Sequence, residues 1–494
     1  MGELGVIAAV CIAYFVIVLV IGAVAARRTT TDAADYFLGG RQARTLVLFM
    51  ALFGTNVTPF VLLGVPGLAY HEGVGVFGLN AAIVALGIPL TFWLIGRPAW
   101  HAARACGAIT PAELYARRLD SGALGVVLFV AYTVYTLPYL VTSVLGVAVA
   151  TETFTAGAID GELAAAVLLV VTVVYTTAGG MRATMWTNVL QGAVFMVFIV
   201  VAAVAIADGL GGAAAATAAV QRLAPELLVV GDRPRFAFAS WGSWSLAISL
   251  TVIAFPHMLV RVFAARDQAA LRNTCRLYPP ALLALWLPAV LIGVWGAAAI
   301  PGLEGRASDR IFPLMVTAHT GPWMQGLGLA AILAAVMSTL DAQFLTLSSM
   351  LGRDALRRVW PAMSERAEIR AGQGFSLVLA VVTFVVVLWP PDSIFGIATF
   401  SFSGYVMLVP TLYLGLCWRR FTAAAAMGSI VVGNVVLLGA FAMGAPPWGV
   451  LPVAWGLAAA IVVAVGVAWW RPRQGGRPRL VAGETVASDT SSTL

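Results

Sequence analysis

Long apolar stretches separated by short polar turns run along almost the whole chain. Stretches of about 20 residues, the length that crosses a bilayer as a helix, lie near 5–26, 45–70, 74–98, 122–152, 162–178, 183–208, 239–262, 276–299, 324–352, 371–389, 393–417, 421–443 and 449–470. They predict an all-α integral membrane protein with about 13 transmembrane helices. The first stretch has no basic leader and ends in Arg27-Arg28, so it reads as a retained helix rather than a signal peptide. Residues 1–474 read as one membrane domain, and the polar stretch 475–494 as a disordered cytoplasmic tail. Two connecting segments exceed simple turns. The Ala-rich 209–238 reads as carrying a surface helix, and 301–321 as a short helix over the outer mouth.

Composition sharpens this picture. The chain is 61% hydrophobic and 10% charged, against about 25% charged in soluble proteins. All 29 basic residues are arginine, and the net charge is +7. A basic balance can signal nucleic-acid binding, but here the arginines alternate between the two sides of the hydrophobic stretches. With the N-terminus outside, 24 of the 29 fall on the inner side, including Arg261, and five fall outside: Arg222, Arg233, Arg235, Arg306 and Arg310. That asymmetry follows the positive-inside rule. It predicts a multi-pass protein of the cell membrane with a cytoplasmic C-terminus, partnered by the lipid bilayer and not by nucleic acid. The four cysteines form no close-spaced pair and read as structural thiols. No G-x-x-x-x-G-K-[ST] segment is present, so ATP is not the expected drive. No catalytic arrangement stands out, and the chain does not read as an enzyme.

Polar groups inside a span are costly and mark ion or solute paths. The run Ala334-Ala335-Val336-Met337-Ser338-Thr339-Leu340-Asp341 places two hydroxyls and a carboxylate inside span 324–352. Ala335, Ser338 and Thr339 stand at i, i+3 and i+4, on one helix face, where their oxygens can converge on a small cation. Span 45–70 is interrupted by Gly54, Pro59, Gly64, Pro66 and Gly67, with Thr55, Asn56 and Thr58 at the first break. Proline removes an amide and obstructs the carbonyl four residues earlier. Five spans later, Ser249 and Thr251 precede a second break at Phe255-Pro256-His257. Paired interrupted spans point to an inverted-repeat transporter with its site at the breaks. The two repeats would cover about 45–208 and 239–417. In the span near 122–152, Tyr135 and Tyr139 share a face, and Tyr135 can line a solute pocket facing Asn56, Thr58 and Phe60.

Seven segments in order resemble the sodium:solute symporter family over roughly residues 5–435. They are Asp35 to Arg41; Gly64-Val65-Pro66-Gly67 with Tyr70 and Gly73; Thr110 to Leu114 with Arg117-Arg118; Gly179 to Ala183 with Thr187 to Gln191; Pro256-His257 with Arg261; Ala335 to Asp341 with Ser348, Ser349 and Asp354; and Leu416 to Arg420. The resemblance implies a leucine-transporter-type 5+5 inverted-repeat core and alternating access driven by a sodium gradient. It implies a sodium site made of the carbonyls of Gly54, Val57 and Ala335 with the side chains of Ser338 and Thr339. It also places Ile248 and Val252 with Tyr135 at the solute. Neutral oxygens suit a monovalent ion, whereas Ca²⁺ recruits carboxylates.

Two departures bear on coupling. Many family members carry acids where Asn56 and Asn188 stand. Asp341 is then the one carboxylate expected deep in a core span, and Asp341 and Asn188 are expected along the ion pathway. The resulting expectation is sodium-coupled symport of a small organic solute, a carboxylate such as a monocarboxylate, pantothenate or an amino acid. The alternatives are proton coupling through Asp341 and a sodium-independent channel or transceptor.

Overall fold

The computed structural model describes residues 2–27, 33–444 and 447–470. The expected tail 475–494 lies outside the described residues. Regular structure among them is helical, with one isolated bridge between Ala43 and Ala265. The long elements are α1 (Glu3–Ala26), α2 (Thr45–Asn56), α3 (Phe60–Glu72), α4 (Gly75–Cys106), α5 (Gly122–Phe154), α6 (Gly161–Gly209) and α7 (Phe238–Ala254). They continue with α8 (Pro256–Ala264), α9 (Gln268–Ala299), α10 (Pro322–Val359), α11 (Glu365–Leu388), α12 (Ile394–Cys417), α13 (Ala423–Ala442) and α14 (Pro452–Trp470).

Ten of these are long and apolar enough to cross a membrane alone, and α2+α3 and α7+α8 do so as bent pairs. At 49 residues, α6 would be about 74 Å long if straight, more than twice a hydrocarbon core. It is broken at Gly180 (φ 56°, ψ −159°), the boundary between the expected spans 162–178 and 183–208. Among the described residues there are 10 to 12 candidate spans, with α6 counted as one. Only glycine fits: a Cβ at Gly180 would lie 2.8 Å from Tyr36. Arg182, just past the break, donates to Asp35 at 2.6 and 2.8 Å. Two of the seven sequence segments therefore meet each other at this corner.

A proline follows each of the two bends. Proline cannot continue the preceding helix and holds the residue before it extended. Phe255 is extended (ψ 129°) ahead of Pro256, and α7 and α8 meet at 53°. Val57 is extended (ψ 109°) two residues ahead of Pro59, and α2 and α3 meet at 56°.

The arginines sort to one end of the bundle. There Arg41 donates to the Ala108 carbonyl, Arg104 to that of Ala265 and Arg118 to that of Gly415, each at 2.8 Å. At the same end Thr110 receives the Glu113 amide at 2.9 Å while the Glu113 carboxylate receives the Ile109 amide at 2.8 Å. This reciprocal cap is the physical content of the Thr-Pro-Ala-Glu segment. At the opposite end Arg235 pairs with Glu72 and Arg310 with Glu152, both at 3.2 Å. The expected surface helix is Ala213–Leu223, and segment 301–321 forms a 3-10 turn (Gly305–Arg310) followed by a helix (Ile311–His319).

Candidate functional site: a cation half-site beside a closed cavity

The last turn of α2, just before the break, faces the middle of α10. Ser338 Oγ donates to the Gly54 carbonyl at 3.0 Å and to that of Ala335 at 2.9 Å. Thr339 Oγ1 reaches the Ala335 carbonyl at 3.0 Å and the Thr55 carbonyl at 3.4 Å. All four residues of this cluster, with Thr55, are buried. The break supplies the carbonyls. The Val57 amide still closes onto Phe53 at 3.2 Å, while the amides of Val61 and Leu62 both turn to Thr58. Two hydroxyls and three carbonyls thus converge from two elements, all neutral and all hard. Among the described residues no group of three or more His, Cys, Asp or Glu is placed to hold a metal ion.

The geometry brings Gly54, Ala335, Ser338 and Thr339 together. Thr339 also reaches the Thr55 carbonyl, and Val57 lines the neighbouring cavity. At Gly54, α2 lies in contact with α6. A Cβ there would stand 3.5 Å from the Asn188 carbonyl, which puts Asn188 against the half-site. The Asn188 side chain is buried and has no hydrogen-bond partner among the described residues.

The cavity lies between the two bends and measures about 30 Å³, room for about two water molecules. Asn56, Phe60, Ile248 and Val252 line it as expected, together with Tyr139, Thr251, Phe255, Trp286 and Phe402. Two expected members are elsewhere. Thr58 is buried and receives the Phe60 amide at 3.2 Å, capping the start of α3. Tyr135 turns away toward α12 and α13, where its hydroxyl bonds Asn434 and its ring lies over Gly404. A Cβ at Gly404 would lie within 1.8 Å of that ring. Tyr139, one turn further along α5, reaches the cavity and stacks on Phe255 at 5.1 Å. The arginine-poor side is covered by Phe60 and Trp244 stacked on Phe395 at 5.2 and 5.3 Å, with Arg235 over the same ring.

Two residues beyond Thr339, Asp341 meets a buried arginine. Arg261, counted with the inner-side arginines, is fully buried and pairs with Asp341. Tyr175 donates to Asp341 Oδ2 at 2.8 Å.

A family model described as the sodium:solute symporter family matches residues 36–433. The chain belongs to that family. As a sodium:solute symporter it is a transporter rather than an enzyme, and sodium is the ion co-transported with solute. Curated relatives include the sodium/pantothenate symporter of Escherichia coli, 28% identical over 86% of this chain and 88% of its own length. They also include the sodium/proline symporter of Salmonella typhimurium, 24% identical over 83% of each chain. A monocarboxylate transport permease of Rhizobium johnstonii is 28% identical over 86% of each. Among solved structures, a sodium-coupled sialic acid symporter in a substrate-bound outward-open state matches with a TM-score of 0.80 at 17% identity, over 95% of this chain and 99% of that one. Mhp1, a nucleobase-cation-symport-1 family transporter in a closed conformation, matches with a TM-score of 0.56 at 14% identity, over 86% and 92%. These likenesses establish the leucine-transporter-type fold for this symporter.

Proposed function

We propose that this symporter couples sodium entry to uptake of a small carboxylate, such as a monocarboxylate, pantothenate or an amino acid. The observation that carries the sodium half is the meeting of Ser338 and Thr339 with the broken α2 backbone. Sodium would sit among the Ser338 and Thr339 hydroxyls and the Gly54 and Ala335 carbonyls, with a further carbonyl from Thr55 or Val57. Bound there, it ties α2 to α10 and favours the solute-ready state. A ligand shifts such an equilibrium only by its differential affinity for the two states.

The solute half rests on the cavity and on the relatives. The lining is mostly aliphatic and aromatic, and Asn56, Thr251, Tyr139 and Trp286 bring polar atoms to it. The Thr251 hydroxyl already donates to the Phe402 carbonyl at 3.0 Å, so we assign the Asn56 amide and the Tyr139 hydroxyl to the polar group of the solute. Pantothenate, proline and monocarboxylates, named for the relatives, are small carboxylates of this character. About 30 Å³ is well below the roughly 300 Å³ of a small-molecule site, so solute entry requires the two bent spans to separate. In the orientation we propose, the arginine-rich end is cytoplasmic and the aromatic cover faces outward.

Uptake of radiolabelled pantothenate, proline and short monocarboxylates into proteoliposomes, with and without an inward sodium gradient, tests the reading. Transient accumulation of one of them above equilibrium is expected only with the gradient. Ser338→Ala and Thr339→Ala should each raise half-saturating sodium about tenfold, matching loss of one ion contact of ~1.4 kcal/mol. Half-saturation unchanged in both would refute the site. Equal uptake with and without the gradient would favour a sodium-independent channel or transceptor instead.

A further inference from the structure

The ion pair between Arg261 and Asp341 plays no part in the site described above. Arg261 Nη2 lies 3.7 Å from Asp341 Oδ1, and both side chains are fully buried. One belongs to α8, the second half of the bent span, and the other to α10. Withdrawing two charges from water generally costs more than their attraction returns, so such pairs contribute little to stability. Their surroundings show what the pair is built around.

Hard oxygens gather at Asp341. Tyr175 reaches both Asp341 Oδ2, at 2.8 Å, and the Met337 carbonyl, at 3.3 Å. The Tyr14 hydroxyl stands over Met337 and receives Gln191 Nε2 at 3.2 Å. A carboxylate with a phenol oxygen and a carbonyl close by is a donor set for a hard cation. It lies one turn, about 5 Å, along α10 from Ser338. The positive charge opposite it is a side chain. Among the described residues no acceptor meets the Arg261 nitrogens with hydrogen-bond geometry, so charge, not a fork of directed bonds, holds the guanidinium there. That charge is permanent, because a guanidinium does not deprotonate in proteins.

We propose that Arg261 is a tethered cation: its guanidinium fills a second cation position built on Asp341 and Tyr175. One free sodium then serves where an unpaired carboxylate would bind two. The proposal rests on the sodium site at Ser338 and Thr339. Since Arg261 rides on α8 and Asp341 on α10, separation of these helices withdraws the cation from Asp341, and their return restores it. Asp341 is neutralised in each cycle by a charge that never leaves the protein.

Saturation binding of ²²Na⁺ to the purified full-length chain tests this without knowing the solute. One sodium per protein is expected in the wild type and in Arg261→Lys. Two are expected in Arg261→Gln, and one again in the double variant Arg261→Gln with Asp341→Asn. A single sodium in a folded Arg261→Gln protein would overturn the proposal, as would two in the wild type. Should Arg261→Gln not fold, the wild type and the charge-neutral double variant still decide, since two sodium ions in either would refute it. If Ser338→Ala leaves sodium affinity unchanged, the primary site has failed. If Ser338→Ala weakens binding while Arg261→Gln keeps one sodium, the tethered cation alone has failed.

Discussion

At the scale of residues, the site is set as much by atoms that are missing as by those present. Gly293 of α9 lies where a Cβ would stand 2.2 Å from the Pro66 carbonyl oxygen of α3. Backbone cannot swing aside as a side chain can, so Gly293→Ala forces the two helices apart next to the bent span. We expect it to lower thermal stability, by about 1–3 kcal/mol for overpacking, and to reduce uptake. Gly466→Ala, with open space around it, should be silent in the same melting assay. Residue roles were partly legible in the sequence. The spacing of Ala335, Ser338 and Thr339 specifies one helix face, and the structure shows that face meeting α2. Tyr135 and Tyr139 also share a face, so spacing alone could not separate them. Gly404, far along the chain, accommodates Tyr135 and leaves the cavity to Tyr139. The pairing of Arg261 was not legible, because a charge rule sees sequence neighbours but not the buried carboxylate opposite.

At the scale of elements, a proline follows each bend, directly after the extended Phe255 and two residues after the extended Val57, and the two angles are similar. The break positions were readable because proline acts locally. The proline rule points to the carbonyl four residues before Pro59, which is Thr55, and the structure has Thr339 reaching it; the resemblance pointed to Val57 instead. The segment Gly305–Arg310 adds a pH-dependent tie to α12. Asp309 accepts the Ile394 amide at 3.1 Å, and burial pushes its carboxyl up from the ordinary 3.8 to about 6. A raised folded-state value means that the folded protein holds this proton more tightly than the unfolded chain does. The contribution is fully present below pH of about 4 and is lost as pH rises through about 6. Hydrogen exchange at the Ile394 amide should therefore be more protected at pH 4.5 than at pH 7.5, after correction for intrinsic rates. Asp309→Asn should abolish the difference.

At the scale of the whole molecule, the composition fixed the membrane class and the alternating arginines predicted the topology. Interactions at both ends agree with that sorting: Arg41, Arg104 and Arg118 bind loop and helix-end carbonyls at one end, while Arg235 and Arg310 pair with acids at the other. We expect Asp232→Cys to react with a membrane-impermeant maleimide in intact cells, and Ala362→Cys only after permeabilisation. Both positions are exposed and lie on opposite sides in the proposed topology. The reverse labelling pattern would invert the direction of transport proposed here.

The small closed cavity bears on turnover. A carrier must bring its binding site back across the membrane without cargo, and a wide vacant pocket would let ions slip through during that return. Aromatic rings folded over a space for about two waters suit the reset of an unloaded carrier. A rigid apolar molecule wedged between Phe60 and Tyr139 would block that reset while leaving the sodium ligands untouched, and so stall the cycle after a single delivery.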